Sequence, residues 1–191
     1  MINQTLEAAQ VLRRGGVIIF PTTTVYSLGA SIFNQKALQK AASLKDSSLP
    51  EPLPIIVNKF LLAENLAYIG ENDLVILRQL WPGPTTVLLP RKASLFPELV
   101  DSQGKIALRF SNNTAGEIIQ EAGFAITGLP AFSCSGFPIV QPEGIDLSVD
   151  LIVKGICQFA ELSTIIDLAE KSIKRSGAEE EKVRKILQLK S

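Results

Sequence analysis

Val17-Ile18-Ile19-Phe20-Pro21-Thr22-Thr23-Thr24-Val25-Tyr26-Ser27-Leu28-Gly29-Ala30 is the stretch that decides the fold. Val17 to Phe20 form a β-branched and aromatic apolar run, the pattern of a buried strand. Pro21 has no N–H for a sheet ladder and reads as the strand's end. Three hydroxyls, Thr22, Thr23 and Thr24, follow at once. In open α/β sheets ligands bind beyond the carboxyl ends of the strands, so these threonines stand where a ligand is expected. Tyr26 adds an amphipathic ring, and Gly29 lets the backbone turn. A plain turn would also select threonines here, and the stretch alone leaves both readings open.

Strands and helices alternate outward from it. A helix is expected over Thr5 to Arg14, stopped by Gly15-Gly16. Asn34 is placed to cap a helix running to about Lys45, with Ala37, Leu38, Ala41 and Leu44 on its apolar stripe. Pro54 to Val57 read as a short strand, Asn58 as the cap of the next helix, and Asn72 to Leu80 as another helix. Trp81-Pro82-Gly83-Pro84 is a rigid turn before strands at Thr85–Leu89 and Ile106–Phe110. Thr114 to Ala122 are helical and end on Gly123, and Ala125 to Thr127 begin another strand. A loop covers residues 128–138, strands are expected at Leu151–Val153 and Thr164–Leu168, and a last helix at Ala178–Leu189. The alternation argues for one α/β layer sandwich, a single domain over residues 1–191.

Composition narrows the function. The 191 residues are 46% hydrophobic, ample for a core, and 19 Lys+Arg balance 19 Asp+Glu. A neutral chain has no whole-surface pull on nucleic acid. The seven Lys/Arg from Lys171 onward leave a local patch open, beside the simpler reading as the solvated face of a terminal helix. The chain contains no histidine, which removes the usual general base, the histidine dyads and triads, and every histidine metal site. Cys134 and Cys157 are not at metal-ligand spacing and read as small apolar filler. With no basic leader before an apolar core and no run of roughly 18 apolar residues, a soluble cytoplasmic protein without a membrane span is expected.

Several segments carry chemistry together: 21–29, the helix ending on Lys45, Trp81-Pro82-Gly83-Pro84-Thr85-Thr86 and Ala107-Leu108-Arg109. Ser135-Gly136-Phe137-Pro138, Ser163-Thr164-Ile165-Ile166-Asp167-Leu168 and Arg175-Ser176-Gly177 complete the set. In this order and spacing they resemble the YrdC-like family of threonylcarbamoyl-AMP synthases. That family's motifs read P-T-E-T-V-Y-G-L-G, W-P-G-P-x-T, x-x-R, S-A-N-x-S-G-x-P, S-T-[IV]-[IV]-D and R-x-G. The resemblance covers nearly the whole chain.

The resemblance implies a twisted mixed sheet with flanking helices around a deep groove. It implies L-threonine, bicarbonate and ATP with magnesium as substrates, with no tightly bound metal. The product would be threonylcarbamoyl-adenylate, for modifying adenosine beside the tRNA anticodon; binding of tRNA or double-stranded RNA is also implied. By motif position, Lys45 and Arg109 are the candidate catalytic residues, and Thr22, Thr24, Tyr26 and Ser133 would bind substrate. Lys45, Ser135, Ser163 and Arg175 would hold the nucleotide. An attack on an α-phosphate needs positioning and charge neutralisation more than a histidine base, and lysine, arginine and hydroxyl groups supply these.

The departures are as specific as the matches. The family's K-x-R is Lys45-Asp46-Ser47 here, and its S-x-N is Ala131-Phe132-Ser133. Thr23 replaces an acid, Ser27 a glycine, and Ser111 to Thr114 stand where a proline and a histidine are common. A lost arginine contact to phosphate removes about 1.5–3 kcal/mol per bond. Two readings follow: a divergent threonylcarbamoyl-AMP synthase, or a catalytically weakened paralogue that binds a nucleotide or RNA.

Overall fold

In the computed structural model, which describes residues 3–45, 52–143 and 145–189, the chain begins with α1 (Gln4–Arg13), β1 (Ile18–Pro21), β2 (Tyr26–Gly29) and α2 (Gln35–Ser43). It continues through β3 (Ile55–Val57), α3 (Phe60–Leu66), α4 (Glu71–Leu80), β4 (Thr85–Pro90) and β5 (Lys105–Phe110). Then come α5 (Thr114–Ala122), β6 (Ile126–Thr127), β7 (Leu129–Pro130), β8 (Leu151–Ile152), β9 (Thr164–Asp167), β10 (Ser172–Arg175) and α6 (Glu180–Leu187).

The opening apolar run folds back on itself. β1 and β2 pair antiparallel, with Pro21 opposite Tyr26 and Ile18 opposite Gly29, so residues 22–25 are a hairpin turn. Pro21 is therefore the last rung of the ladder rather than the residue beyond it; at a strand end its missing N–H is tolerated. Gly29 does not turn the chain. It lies inside β2, where a Cβ would stand 2.7 Å from Phe20 Cε1. The two-residue period of the strand is plain: Val17 and Ile19 enter one core cluster, while Ile18 and Phe20 enter another, under α1 and α5. Each such side chain, fully buried, stabilises the fold by about 1.5–3 kcal/mol.

The mixed β-structure that the resemblance implies is present, laid out as two sheets. One has the order β7-β2-β1-β8 and the other β10-β9-β4-β5-β3-β6. Both mix orientations: β8 runs parallel to β1 and β9 parallel to β4, while β5 runs antiparallel to β4. The two sheets meet where β2 ends. Thr127 N donates to Ala30 O, and Ala30 N donates to the Thr127 hydroxyl, each at 2.9 Å.

Local signals account for several helix ends. Asn34 Oδ1 accepts from Ala37 N at the start of α2, Asn113 caps α5, and Gly123 closes α5 in the left-handed region at φ 85°. Asn58 is not a cap. Lys59 precedes α3 without a side-chain bond, and Asn58 Nδ2 donates to Gly116 O on α5 instead. β10 has no counterpart among the expected elements, and α6 is shorter at both ends than the periodicity predicts. No helix among the described residues is long and apolar enough to cross a membrane.

Candidate functional site

The hairpin turn is built by its own hydroxyls. Thr22 Oγ1 accepts from Thr24 N at 3.1 Å, donates to Val25 O at 2.7 Å, and lies 2.8 Å from Thr24 Oγ1. A threonine bonding its backbone two residues on is an ordinary turn device. Here it also fixes the direction of the next hydroxyls, because Thr22 and Thr24 are both buried.

Arg109 reaches that turn from the other sheet. It sits near the C-terminal end of β5, between Ile56 of β3 and Thr86 of β4. Its Nη1 donates to Thr24 Oγ1 at 2.7 Å, its Nη2 to Thr23 Oγ1 at 2.6 Å, and its Nε to Gly83 O at 3.2 Å. One side chain thus joins β5, the threonine turn and the Trp81–Pro84 loop. It is only 6% exposed. Burial, followed by the charge of Arg175, pushes its pKa down to about 10, so it is still a cation at neutral pH.

Arg175 is aimed by a bulge. Ile173 pairs with Ile166 and Arg175 with Ile165, so Lys174 is the extra residue in β10. Such an insertion re-aims the following side chain. Arg175 Nη2 donates to Ser163 O and Oγ, both at 2.9 Å, and Nε donates to the same carbonyl at 3.1 Å. Ser163 Oγ also lies 3.0 Å from Thr86 Oγ1 on β4. Burial holds the Arg175 guanidinium below the ordinary arginine range. Among the described residues neither arginine has a carboxylate within ion-pair distance; their partners are hydroxyls and carbonyls. Two partly or fully desolvated cations thus lack a countercharge among their hydrogen-bond partners, a polarity that favours an anion nearby.

The other candidates make contacts of their own. Tyr26 is fully buried; its hydroxyl donates to Gly155 O at 2.7 Å and accepts from Gly155 N at 2.9 Å. Ser133 and Ser135 lie on a loop hung from β2, where Ala131 N donates to Tyr26 O and Tyr26 N to Ile139 O. Their hydroxyls are 2.9 Å from each other, and Ser133 Oγ also contacts Phe137 O and accepts from Phe137 N. Lys45 stands just beyond α2, with its N–H on Ala42 O. Asp46 and Ser47, the rest of the altered K-x-R, lie outside the described residues.

Sequence reasoning passed over three groups that the structure brings in. Thr23 takes Arg109, whereas the sequence places it only among the hydroxyls of the turn and as a replaced acid. Thr86 was quoted in a motif and given no role, although a second threonine at a strand's entry was the available signal. Cys157, expected as filler, is half-buried; burial pushes its thiol pKa up, opposed by the Thr22 N–H and the charge of Arg109 nearby. Cys134 is exposed, not packed, and both cysteines are free. Of the basic residues from 171 onward, Arg175 turns inward, while Lys174, Lys182 and Arg184 pair with Glu170, Glu179 and Glu180.

Comparison with known proteins matches this arrangement to one family. The model of the Sua5/YciO/YrdC family, described as "Telomere recombination", matches residues 10–177. The threonylcarbamoyl-AMP synthase of Bacillus subtilis is 32% identical over 157 residues, covering 80% of this chain and 45% of the relative. That of Pyrococcus abyssi is 28% identical over 170 residues, 85% of this chain and 50% of the relative. The chain therefore spans about half the length of these curated relatives. The solved structure of P. abyssi Sua5 complexed with L-threonine superposes with a TM-score of 0.87 at 25% identity, over 97% of this chain and 58% of that one. E. coli YciO, at 22% identity, shares the fold with a TM-score of 0.85, over 95% of this chain and 93% of that one. With its motifs in order, its sheets superposing on Sua5 and its family match spanning most of its length, the chain belongs to the Sua5/YciO/YrdC family.

Proposed function

We propose that this chain is a divergent threonylcarbamoyl-AMP synthase with a low turnover of L-threonine, bicarbonate and ATP. The observation that carries the reading is the pair Arg109, buried, and Arg175, half-buried, with hydroxyl partners and no carboxylate among the described residues. In the proposed reaction the threonine amine and bicarbonate give a carbamate and water. A carbamate oxygen then bonds to the α-phosphorus of ATP, and the bond to the β-phosphate oxygen breaks to release pyrophosphate. Both the nucleophile and the leaving group are anionic, so cations fixed before the reaction lower its barrier. Magnesium enters with ATP as part of the substrate. Lys45 would stand with these arginines, and Ser163 and Ser135 would add hydroxyl contacts.

A second reading, a weakened paralogue that binds a nucleotide or RNA, is favoured by one region. Ala131 is buried and apolar, and the Ser133 hydroxyl is taken up by its own loop. The test is pyrophosphate release measured with each substrate omitted in turn. Slow release that needs all three supports the synthase. Nucleotide binding without release supports the paralogue, and neither overturns both.

A further inference from the structure

Residues 154–159 cross the threonine turn as a strap. Beyond β8, Val153 N donates to Ile19 O, and the chain then leaves the sheet. The Tyr26 hydroxyl grips Gly155 by both its N–H and its carbonyl. A Cβ on Gly155 would stand 2.6 Å from Pro21 Cγ, a ring atom that cannot swing away, so no other residue crosses this close. Gln158 N and Phe159 N both donate to Thr23 O, at 3.0 and 2.9 Å. Between these two grips Ile156 is 90% exposed, and Cys157 turns back beside Thr22 and Arg109. Gln158 and Phe159 also wall a cleft of about 270 Å³ with Thr23, Pro84, Phe110 and Lys182.

The strap's hydrogen bonds lead to Arg109. Tyr26 holds Gly155, the strap holds the Thr23 carbonyl, and the Thr23 hydroxyl holds Arg109 Nη2. We propose that residues 154–159 form a latched strap over the anion site, with Tyr26 as the positioning residue that keeps it closed and Arg109 aligned. The latch itself is independent of the ligand; its functional consequence rests on the anion-site reading above.

Cys157 is a built-in reporter. In a Cys134→Ser background, the rate of Cys157 alkylation by iodoacetamide reads strap opening, with and without low urea. Tyr26→Phe removes the hydroxyl and keeps the ring; losing two bonds to one residue should speed alkylation roughly ten-fold. Gly155→Ala should do the same by steric lifting with the hydroxyl intact, and it carries the test where Tyr26→Phe fails to fold. Local opening exposes little surface, so the faster rate should scarcely depend on urea. A rate unchanged in Gly155→Ala, or one rising with urea as steeply as global unfolding, overturns the latch. Inorganic pyrophosphate as a probe should slow alkylation and lose affinity in both variants. An accelerated rate that pyrophosphate does not protect leaves the latch standing and removes the anion-site reading.

Discussion

Two regions that carry the family's motifs are held in different ways. In one, Arg109 is bonded to the threonine turn across the two sheets, and Arg175 to Ser163, which reaches Thr86. In the other, the loop at 131–137 bonds mainly within itself, and Phe137 at its tip is 71% exposed. The difference teaches where chemistry and stability are tied. A change at Arg109 strips partners from buried groups, whereas a change at Ser133 disturbs only a surface loop. The family pattern is kept at Arg109, Ser163 and Arg175 but changed at Thr23 beside them, and on the loop it is kept at Ser135, Gly136 and Pro138 but changed at Ala131 and Ser133.

The sharpest way to break the comparison is Arg109→Leu. It leaves the Thr23 hydroxyl and the Gly83 carbonyl without their donor, and also removes the cation. Bonds to charged groups contribute about 1.5–3 kcal/mol each, offset here by relief of a costly buried charge. A net loss of roughly 2–4 kcal/mol in urea unfolding is expected, together with loss of pyrophosphate binding. Ser133→Ala should cost under about 0.5 kcal/mol in the same assay, being near the surface. Equal losses at the two positions would erase the distinction between the two regions.

The second prediction repairs altered positions. Ser47→Arg, Ala131→Ser and Ser133→Asn together should raise pyrophosphate release by roughly 10- to 200-fold, the yield of one or two recovered charge-assisted bonds. The gains should be non-additive, since neighbours around one phosphate couple. Single and triple variants compared in one kinetic assay give the coupling directly. A triple variant no faster than the parent would place the deficit in the region held by Arg109.

How much of this was legible follows from where each signal lies. α5 is written locally, in Asn113 before it and Gly123 after it, and the structure repeats those bounds. β10 is not: Ser172 to Arg175 hold one apolar residue, and they become a strand only by pairing with β9, far from any local preference. The threonine turn was visible as a motif. That it closes a hairpin was hidden by Pro21, whose missing N–H matters only away from a strand end. Arg109 was found from its motif, but its hold on Thr23 depends on two sheets meeting, which no local pattern specifies.

The third prediction concerns RNA. Lys174, Lys182 and Arg184 already face glutamates and Arg175 faces inward, so among the described residues of this C-terminal patch few cations remain to displace counterions. Binding to double-stranded RNA should therefore be weak, with a log–log salt slope of magnitude below about 3. Lys171→Glu with Lys185→Glu should flatten it further. A steep slope, measured by fluorescence anisotropy over a salt series, would show a basic surface beyond these pairs.

The smallest effect is expected at a tie between a helix and a strand. Asp150 Oδ2 accepts from Lys40 Nζ of α2 at 2.8 Å and from Val17 N, at the entry to β1, at 2.7 Å. One carboxylate thus links the helix that leads to Lys45 with the strand that leads to the threonine turn. The Lys40 hydrogen bond, then the Val17 N–H, holds its pKa below the usual carboxylate value. A depressed folded-state value means that its stabilisation is present above the ordinary carboxylate pKa of about 4. It is lost as pH falls through the folded value. The pair is about two-fifths exposed, so solvent screening limits the contribution to roughly 0.2–1 kcal/mol. Asp150→Asn should cost about that much at pH 7 and progressively less as pH falls through the folded value, making the acid limb of the stability curve shallower. If the variant kept the parent's acid limb, the Lys40–Asp150 contact would contribute nothing to stability, and the two elements would be coupled only through the sheets.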